Sequence, residues 1–392
     1  MESLRDRCPG CPLLPQELQE KILSLMPFEY LCTCRRVCSQ WNAIISSSKF
    51  ITTEWAESPP NRNPLLVLIP SQVRNRCVAY CFYTHTWNKC TSSLLFLEDG
   101  RKDFVIGGIT REGSAKGLFL VAMTTFQPRN DPKKGLVLAV CNPLTRGFFY
   151  LPTTPSIDRV VAIGIAVGEE NRPIVMAVGR NNENETVEIY DSFENTWTNV
   201  GNLPRKVNAI NSRDMVFCEG SFYCITEKMG EPTLIMGFNL GDRTFTFVPL
   251  PHFCDIPDSQ ISPQLLVCGS RILLAGLVYY AAGSSVVKRK VIIWELEKVS
   301  AGLGRSSPSA SSSLSWKETS RMPSSMCDDL QKIMPRPQPW ITGVGDYVCF
   351  IVIRNNVIVY SLSKNSWTWL PECPFDGSFG SASALELRPD MK

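Results

Sequence analysis

The chain has 392 residues, 44% of them hydrophobic and 20% charged, with 40 basic against 37 acidic side chains. That length exceeds one small core, and a formal net charge of +3 does not mark a general nucleic-acid binder. With 16 cysteines but no apolar leader in Met1–Arg7, reduced thiols in the nucleus or cytoplasm are expected rather than a secreted disulfide framework, and no apolar run nears the ~18 residues of a membrane helix.

After a flexible N-terminus over 1–13, residues 14–50 read as a compact helical module. Pro15 suits the first helical position, where a missing N–H costs nothing. Glu17 then suits the positive end of the helix dipole. Leu18, Ile22 and Leu25 recur at helical spacing, Leu23 and Met26 widen that stripe, and Pro27 stops it. A second helix is predicted from Phe28 to about Cys34. A third is predicted from near Val37, with Val37, Trp41, Ile44 and Ile45 on its apolar side and Ser46-Ser47-Ser48 ending it. So much apolar surface exceeds what about 40 residues can bury, so part of it is a candidate docking site.

The series Leu14-Pro15, Glu17-Leu18, Ile22-Leu23, Leu25-Met26-Pro27, Leu31 and Val37-Cys38-x-x-Trp41 resembles the F-box motif. The resemblance implies binding to a Skp-type adaptor and, through it, to a cullin. It places Leu14, Pro15, Ile22, Leu25, Pro27, Leu31, Val37 and Trp41 in or beneath the docking face. Ser39 departs from the basic residue often found after the Val-Cys pair, and Arg35 and Arg36 lie just upstream.

A linker over 51–63 leads into a strand-rich region, 64–388, followed by a tail over 389–392. Short β-branched and aromatic runs alternate there with Gly, Pro, Asn and Asp. One unit recurs: a strand, a turn, an aromatic on the next strand, then Leu-Pro or Met-Pro. Val187–Asp191, Trp197 and Leu203-Pro204 form one copy. Val357–Ser361, Trp367 and Leu370-Pro371 form another, and the aromatics at 87, 148, 245 and 316 head the rest. Where no insert intervenes the period is near ~50, the value for kelch blades. The aromatics are expected to pack between neighbouring blades. Six copies predict a six-bladed, all-β propeller. The alternating tail Ala382–Leu387 is expected to supply the inner strand that the first copy (strands near 65–69, 78–83 and 86–90) lacks. A short helix is conceivable only at Met326–Ile333. A Ser- and Gly-rich insert near 302–315 is expected to be disordered and open to phosphorylation.

F-box and repeats together resemble the plant F-box/kelch-repeat proteins, although the doubled glycine of kelch repeats is largely absent. The resemblance implies a substrate-recognition subunit of a Skp–cullin–F-box ubiquitin ligase. The F-box would hold the adaptor and the propeller the protein to be ubiquitinated. The alternative is a non-degradative interaction scaffold. No cofactor, metal, nucleic-acid or membrane partner is expected.

Catalysis by this chain is not expected either. With only two histidines, His85 and His252, zinc, copper and Ser–His–Asp chemistry lack their usual ligands and bases. Cys8-x-x-Cys11 has no second pair to complete a zinc site. By resemblance, ligands of propellers meet the face carrying the loops between the second and third strands and the interblade loops. There the reading places Arg74, Arg76, Arg129, Lys133, Tyr279, Tyr280, Arg289 and Trp340, together with the interblade stretch 321–340. Aromatic and Arg side chains are frequent interface anchors, and a segment of an acidic or mixed-charge protein is the expected occupant.

Overall fold

The computed structural model describes residues 14–385 apart from 27, 48–49, 51–64, 71–75, 94–104, 116–117, 127–135, 142–147, 158, 169–171, 182–183, 208–214, 229, 252–259, 282–286, 300–312, 334–338, 353–355 and 375–378. Three helices come first: α1 (Gln16–Ser24), α2 (Phe28–Cys34) and α3 (Ser39–Ser46). Pro15 is the residue before α1 rather than its first. Its ψ of 147° is extended, and its carbonyl accepts from the Leu18 and Gln19 amides. Helix α3 starts two residues later than the spacing suggested. Cys38 is extended at φ −157° and its Sγ accepts from the Trp41 amide, capping an otherwise orphan N–H.

The rest is six antiparallel sheets. Blade 1 holds β1 (Leu65–Pro70), β2 (Arg76–Cys81) and β3 (Thr86–Ser93). Blade 2 holds β4 (Val105–Ala115), β5 (Leu118–Phe126), β6 (Leu136–Cys141) and β7 (Phe148–Tyr150). Blade 3 holds β8 (Arg159–Val167), β9 (Pro173–Asn181), β10 (Asn184–Asp191) and β11 (Thr196–Asn202). In blade 4 the inner strand is split into β12 (Lys206–Val207) and β13 (Val216–Cys218), both paired with β14 (Ser221–Lys228). β15 (Glu231–Asn239) and β16 (Phe245–Pro249) follow.

Blade 5 holds β17 (Gln260–Cys268), β18 (Arg271–Ala281), β19 (Val287–Val299) and β20 (Ser313–Arg321). α4 (Ser324–Ile333) then leads to blade 6, which holds β21 (Trp340–Val344), β22 (Tyr347–Ile351), β23 (Val357–Ser361) and β24 (Ser366–Trp369). The final strand, β25 (Phe379–Leu385), joins β1 in the order β25-β1-β2-β3. It packs between β21 and β4 and closes the ring. The C-terminal chain thus supplies the strand that blade 1 lacks, two to three residues earlier than the alternation suggested, and leaves no open joint between first and last blades.

The four recurring tryptophans each bond to the neighbouring blade. The Nε1 of Trp197 donates to the Pro152 carbonyl, that of Trp316 to Pro249 and that of Trp87 to Pro371, each at 2.8 Å, while Trp367 Nε1 donates to Ser320 Oγ at 2.9 Å. Every acceptor belongs to the end of the preceding blade, and two of them, Pro152 and Pro371, are the prolines of the closing Leu-Pro pairs. The turns before Trp87, Trp197, Phe245 and Trp367 each hold a left-handed residue. His85, Asn195, Arg243 and Asn365 fill that position with φ between 47° and 57°. Tyr190 and Tyr360 donate to Asn195 and Asn365 Oδ1 at 2.9 Å, and His85 Nδ1 lies 3.4 Å from the Tyr80 hydroxyl.

Two expectations are corrected here. The insert is narrower than 302–315, because Ser313–Ser315 already belong to β20 and pair with Glu297–Val299; residues 300–312 lie outside the described residues. The stretch 321–340 is not an open loop. Half of it is α4, whose Cys327 and Leu330 are buried against blade 5.

Candidate functional site

The helical module divides into two faces. Gln19, Leu23 and Ser24 of α1 are buried, as are Leu31, Ile44 and Ile45. Leu18, Ile22 and Leu25 point outward at 49%, 37% and 54% exposure, joined by Leu14, Tyr30 and Val37. The stripe that spacing would assign to the core is therefore the outer face. The inner face is Gln19, Leu23 and Met26, one residue further round. A polar clip holds it. Gln19 Oε1 accepts from the Trp41 indole at 3.0 Å while Gln19 Nε2 donates to the Leu14 carbonyl at 2.8 Å. Trp41 is thereby tied inward and braces the segment that presents Leu14.

This small module does not have a core of its own. One apolar cluster runs from Leu23, Leu31, Ile44, Ile45 and Phe50 into Leu65, Val67, Ala79 and Cys81 of blade 1 and Phe119, Val121, Ala139 and Cys141 of blade 2, and α2 touches β3. The propeller completes the burial that ~40 residues cannot achieve alone. Only one of the module's apolar faces is left over.

Of the residues expected at this face, Leu14, Pro15, Ile22, Leu25 and Val37 are exposed. Leu31 is fully buried and Trp41 packs on the core, so both lie beneath that face rather than on it. Pro27 lies outside the described residues. Tyr30 was not singled out by spacing, because it lies on a short helix with no apolar repeat to mark its outer side.

At the opposite, loop-bearing face the expectations fare differently. Arg74, Arg129 and Lys133 lie outside the described residues, as does His252, and Arg76 is the first residue of β2. Lys288-Arg289-Lys290 is not a loop. β18 and β19 run on, with Tyr279 opposite Arg289 and Tyr280 opposite Lys288. Arg289 is buried at 7% exposure with its guanidinium 5.6 Å over the Tyr279 ring. Trp340 opens β21 and packs against the apolar cluster between blades 1 and 6. Neither residue is on an open loop: Arg289 is buried within a strand and Trp340 is half-buried at the start of one. The charges seen at this end of blades 3 and 4 are already paired, Arg180 with Glu185 at 3.2 Å and Arg205 with Glu231 at 2.6 Å. Among the described residues no cluster of His, Cys, Asp and Glu could hold a metal ion.

Comparison with known proteins meets this geometry at both ends. A model described as the F-box domain matches residues 12–53, the helical module, and one described as the F-box associated beta propeller domain matches 112–274. The chain joins an F-box to an F-box associated propeller. Its curated relatives are plant proteins. F-box only protein 6 of Arabidopsis thaliana is 25% identical over 92% of this chain and 69% of the relative. UNUSUAL FLORAL ORGANS of the same plant is 22% identical over 94% and 80%, and an Arabidopsis F-box/kelch-repeat protein is 22% identical over 92% and 82%. The kelch label reaches this chain through that relative's name, while the matching model is that of the F-box associated propeller.

Proposed function

We propose that this protein is the substrate-recognition subunit of a Skp–cullin–F-box ubiquitin ligase. Its F-box holds a Skp-type adaptor, the adaptor links it to a cullin, and the propeller holds the protein to be ubiquitinated. The observation that carries this reading is the outward apolar stripe Leu18, Ile22 and Leu25, flanked by Leu14 and Val37. A helix that turns three aliphatic side chains to solvent while burying a glutamine has its apolar surface arranged for a partner. No bond is made or broken by this chain in such a role. It raises the local concentration of substrate lysines at a conjugating enzyme held by other subunits. The core shared by the F-box and blades 1 and 2 favours a fixed spacing between adaptor and substrate.

Co-expression with a Skp-type adaptor, followed by size exclusion, tests the reading. The wild type is expected to elute as a stoichiometric complex, and Ile22→Asp combined with Leu25→Asp to elute alone while keeping the wild-type melting temperature. Both substitutions sit on the exposed side of α1, so binding is lost without loss of fold. A wild-type chain that is folded yet binds no adaptor would overturn the ligase reading in favour of a non-degradative scaffold.

A further inference from the structure

The joint between α2 and α3 carries residues that adaptor docking does not account for. α2 ends at Cys34 and α3 opens at Ser39, so Arg35-Arg36-Val37-Cys38 connect the two helices. Ser39 stands where the F-box motif often has a basic residue, and it is exposed. The helix does not need its hydroxyl as a cap, because the Cys38 sulfur accepts from the Trp41 amide. Arg36, three residues ahead of Ser39, is exposed, and Arg35 adds a positive charge one residue further back. A cation three residues before a hydroxyl is the charge pattern that Arg-directed Ser/Thr kinases read. The same spacing recurs at Arg111 and Ser114 and at Arg243 and Thr246, but there the hydroxyl residue sits in a paired strand. At Arg321 and Ser324 the guanidinium is already held by both carboxylate oxygens of Glu318.

The first turn of α3 also suits the product. It contains no acidic residue, and the positive end of a helix favours added negative charge. Asn42 lies three residues beyond Ser39, on the same side of α3, and its Oδ1 accepts from Arg35 Nε at 3.0 Å. The Arg35 guanidinium is therefore anchored along the side of the helix that carries Ser39, where a phosphate can take charge-assisted hydrogen bonds from it.

We propose that Ser39 is a phosphorylation site for an Arg-directed Ser/Thr kinase, and that phosphate there weakens adaptor docking. The second half rests on the reading of the F-box above. In the transfer, Ser39 Oγ attacks the γ-phosphorus of ATP while the bond to the bridging oxygen breaks, ADP leaves, and a base of the kinase takes the hydroxyl proton. The product carries about −1.5 to −2 charges at pH 7. Val37, two residues earlier and 53% exposed, is part of the outward apolar face, and two residues of chain reach at most ~7 Å. An adaptor that covers Val37 must strip water from the phosphate or stand off from it, and either costs affinity. The fold is kept, since the added charge suits the start of α3.

The test treats the full chain with ATP and the catalytic domain of a calcium/calmodulin-dependent protein kinase. Phosphate is mapped by mass spectrometry of peptides, and affinity for a purified Skp-type adaptor is measured by calorimetry. Phosphate is expected on Ser39 of the folded wild type, and Arg36→Ala is expected to slow its addition about tenfold, the loss of one charge-assisted contact. The phosphorylated chain is expected to bind adaptor about tenfold more weakly or worse, with a melting temperature no lower than before. Ser39→Ala, treated in the same way, is expected to bind as the untreated wild type. No phosphate at Ser39, or equal rates for the wild type and Arg36→Ala, would overturn the site. Phosphate at Ser39 with unchanged or tighter adaptor binding, or with a lowered melting temperature, would overturn its effect on docking. Absence of adaptor binding by the untreated wild type would instead overturn the reading of the F-box, and the mapped phosphate would still decide the site.

Discussion

The indole of Trp87 donates a 2.8 Å hydrogen bond to the carbonyl of Pro371, 284 residues further along the chain. The first strand trio and the last blade are thus fastened at the outer end of the ring, while β25 pairs with β1 at its inner end. Trp87 is 9% exposed, in tilted contact with Tyr80 at 5.0 Å. Trp87→Phe removes the bond and strands a carbonyl, and is expected to destabilise by about 1–2 kcal/mol. Trp87→Ala also opens a cavity and is expected to cost about 3–5 kcal/mol. Urea unfolding followed by fluorescence of the remaining tryptophans checks both values. Equal stability of the wild type and Trp87→Ala would mean that the ring closes without this contact.

Gln19 is the polar centre of the F-box. Gln19→Ala leaves the Trp41 indole and the Leu14 carbonyl without their partner and is expected to destabilise the helices by about 1–3 kcal/mol. Because the clip also positions the Leu14 segment, adaptor binding is expected to weaken although Gln19 does not reach the outer face. Hydrogen exchange at the α1 and α3 amides, compared with exchange in blades 3 and 4, would locate the loss in the F-box.

Gly343 lies where the inner strands of blades 5 and 6 approach closely. A Cβ there would stand 2.1 Å from the Val267 carbonyl oxygen and 2.8 Å from Cys268 Sγ, and backbone cannot rotate aside as a side chain can. Gly343→Ala is expected to cost about 3 kcal/mol by pushing blades 5 and 6 apart. Gly241→Ala, in a turn where the nearest atom is Asn239 Oδ1 at 3.3 Å, is expected to change stability by less than about 0.5 kcal/mol. Thermal melts of the two variants side by side give the contrast.

Burial pushes the thiols of Cys141 and Cys224 up to about 12, the carboxylate of Glu185 adding to the effect at Cys224. In the unfolded chain the same groups ionise near their ordinary value of about 9. The unfolded state then binds fewer protons than the folded one above that value, so stability falls as pH rises. The contribution is complete below pH ~9 and is lost between ~9 and ~12. The urea midpoint is expected to drop from pH 8 to pH 10, and to drop less in the Cys141→Ala and Cys224→Ala double variant. At pH 8 both thiols are expected to react with an aromatic disulfide reagent only after denaturation.

Some of this protein was settled by sequence alone. The spacing of Trp197, Trp367 and their counterparts, each with a closing Leu-Pro, counted six blades because blade geometry repeats in sequence as in space. Strand alternation in the last residues announced the strand that closes the ring. The order of apolar and Pro residues from Leu14 to Trp41 marked the F-box, because that motif is local. Other features needed the fold. Arg289 looked like a loop charge until β18 and β19 were seen to continue past it, since hairpin length depends on neighbouring strands that sequence does not locate. On α1 the fully apolar series Leu18-Ile22-Leu25 runs one residue from Gln19-Leu23-Met26, whose first member is polar, so periodicity by itself favours the first as the buried face. Tertiary structure decided between them. The propeller takes Leu23 into the core it shares with α2 and α3, the Trp41 indole captures Gln19, and the more uniformly apolar series is left facing solvent. Burial is a property of what an element packs against, and α1 packs against residues that come both after it in the F-box and, through the shared core, from blades 1 and 2.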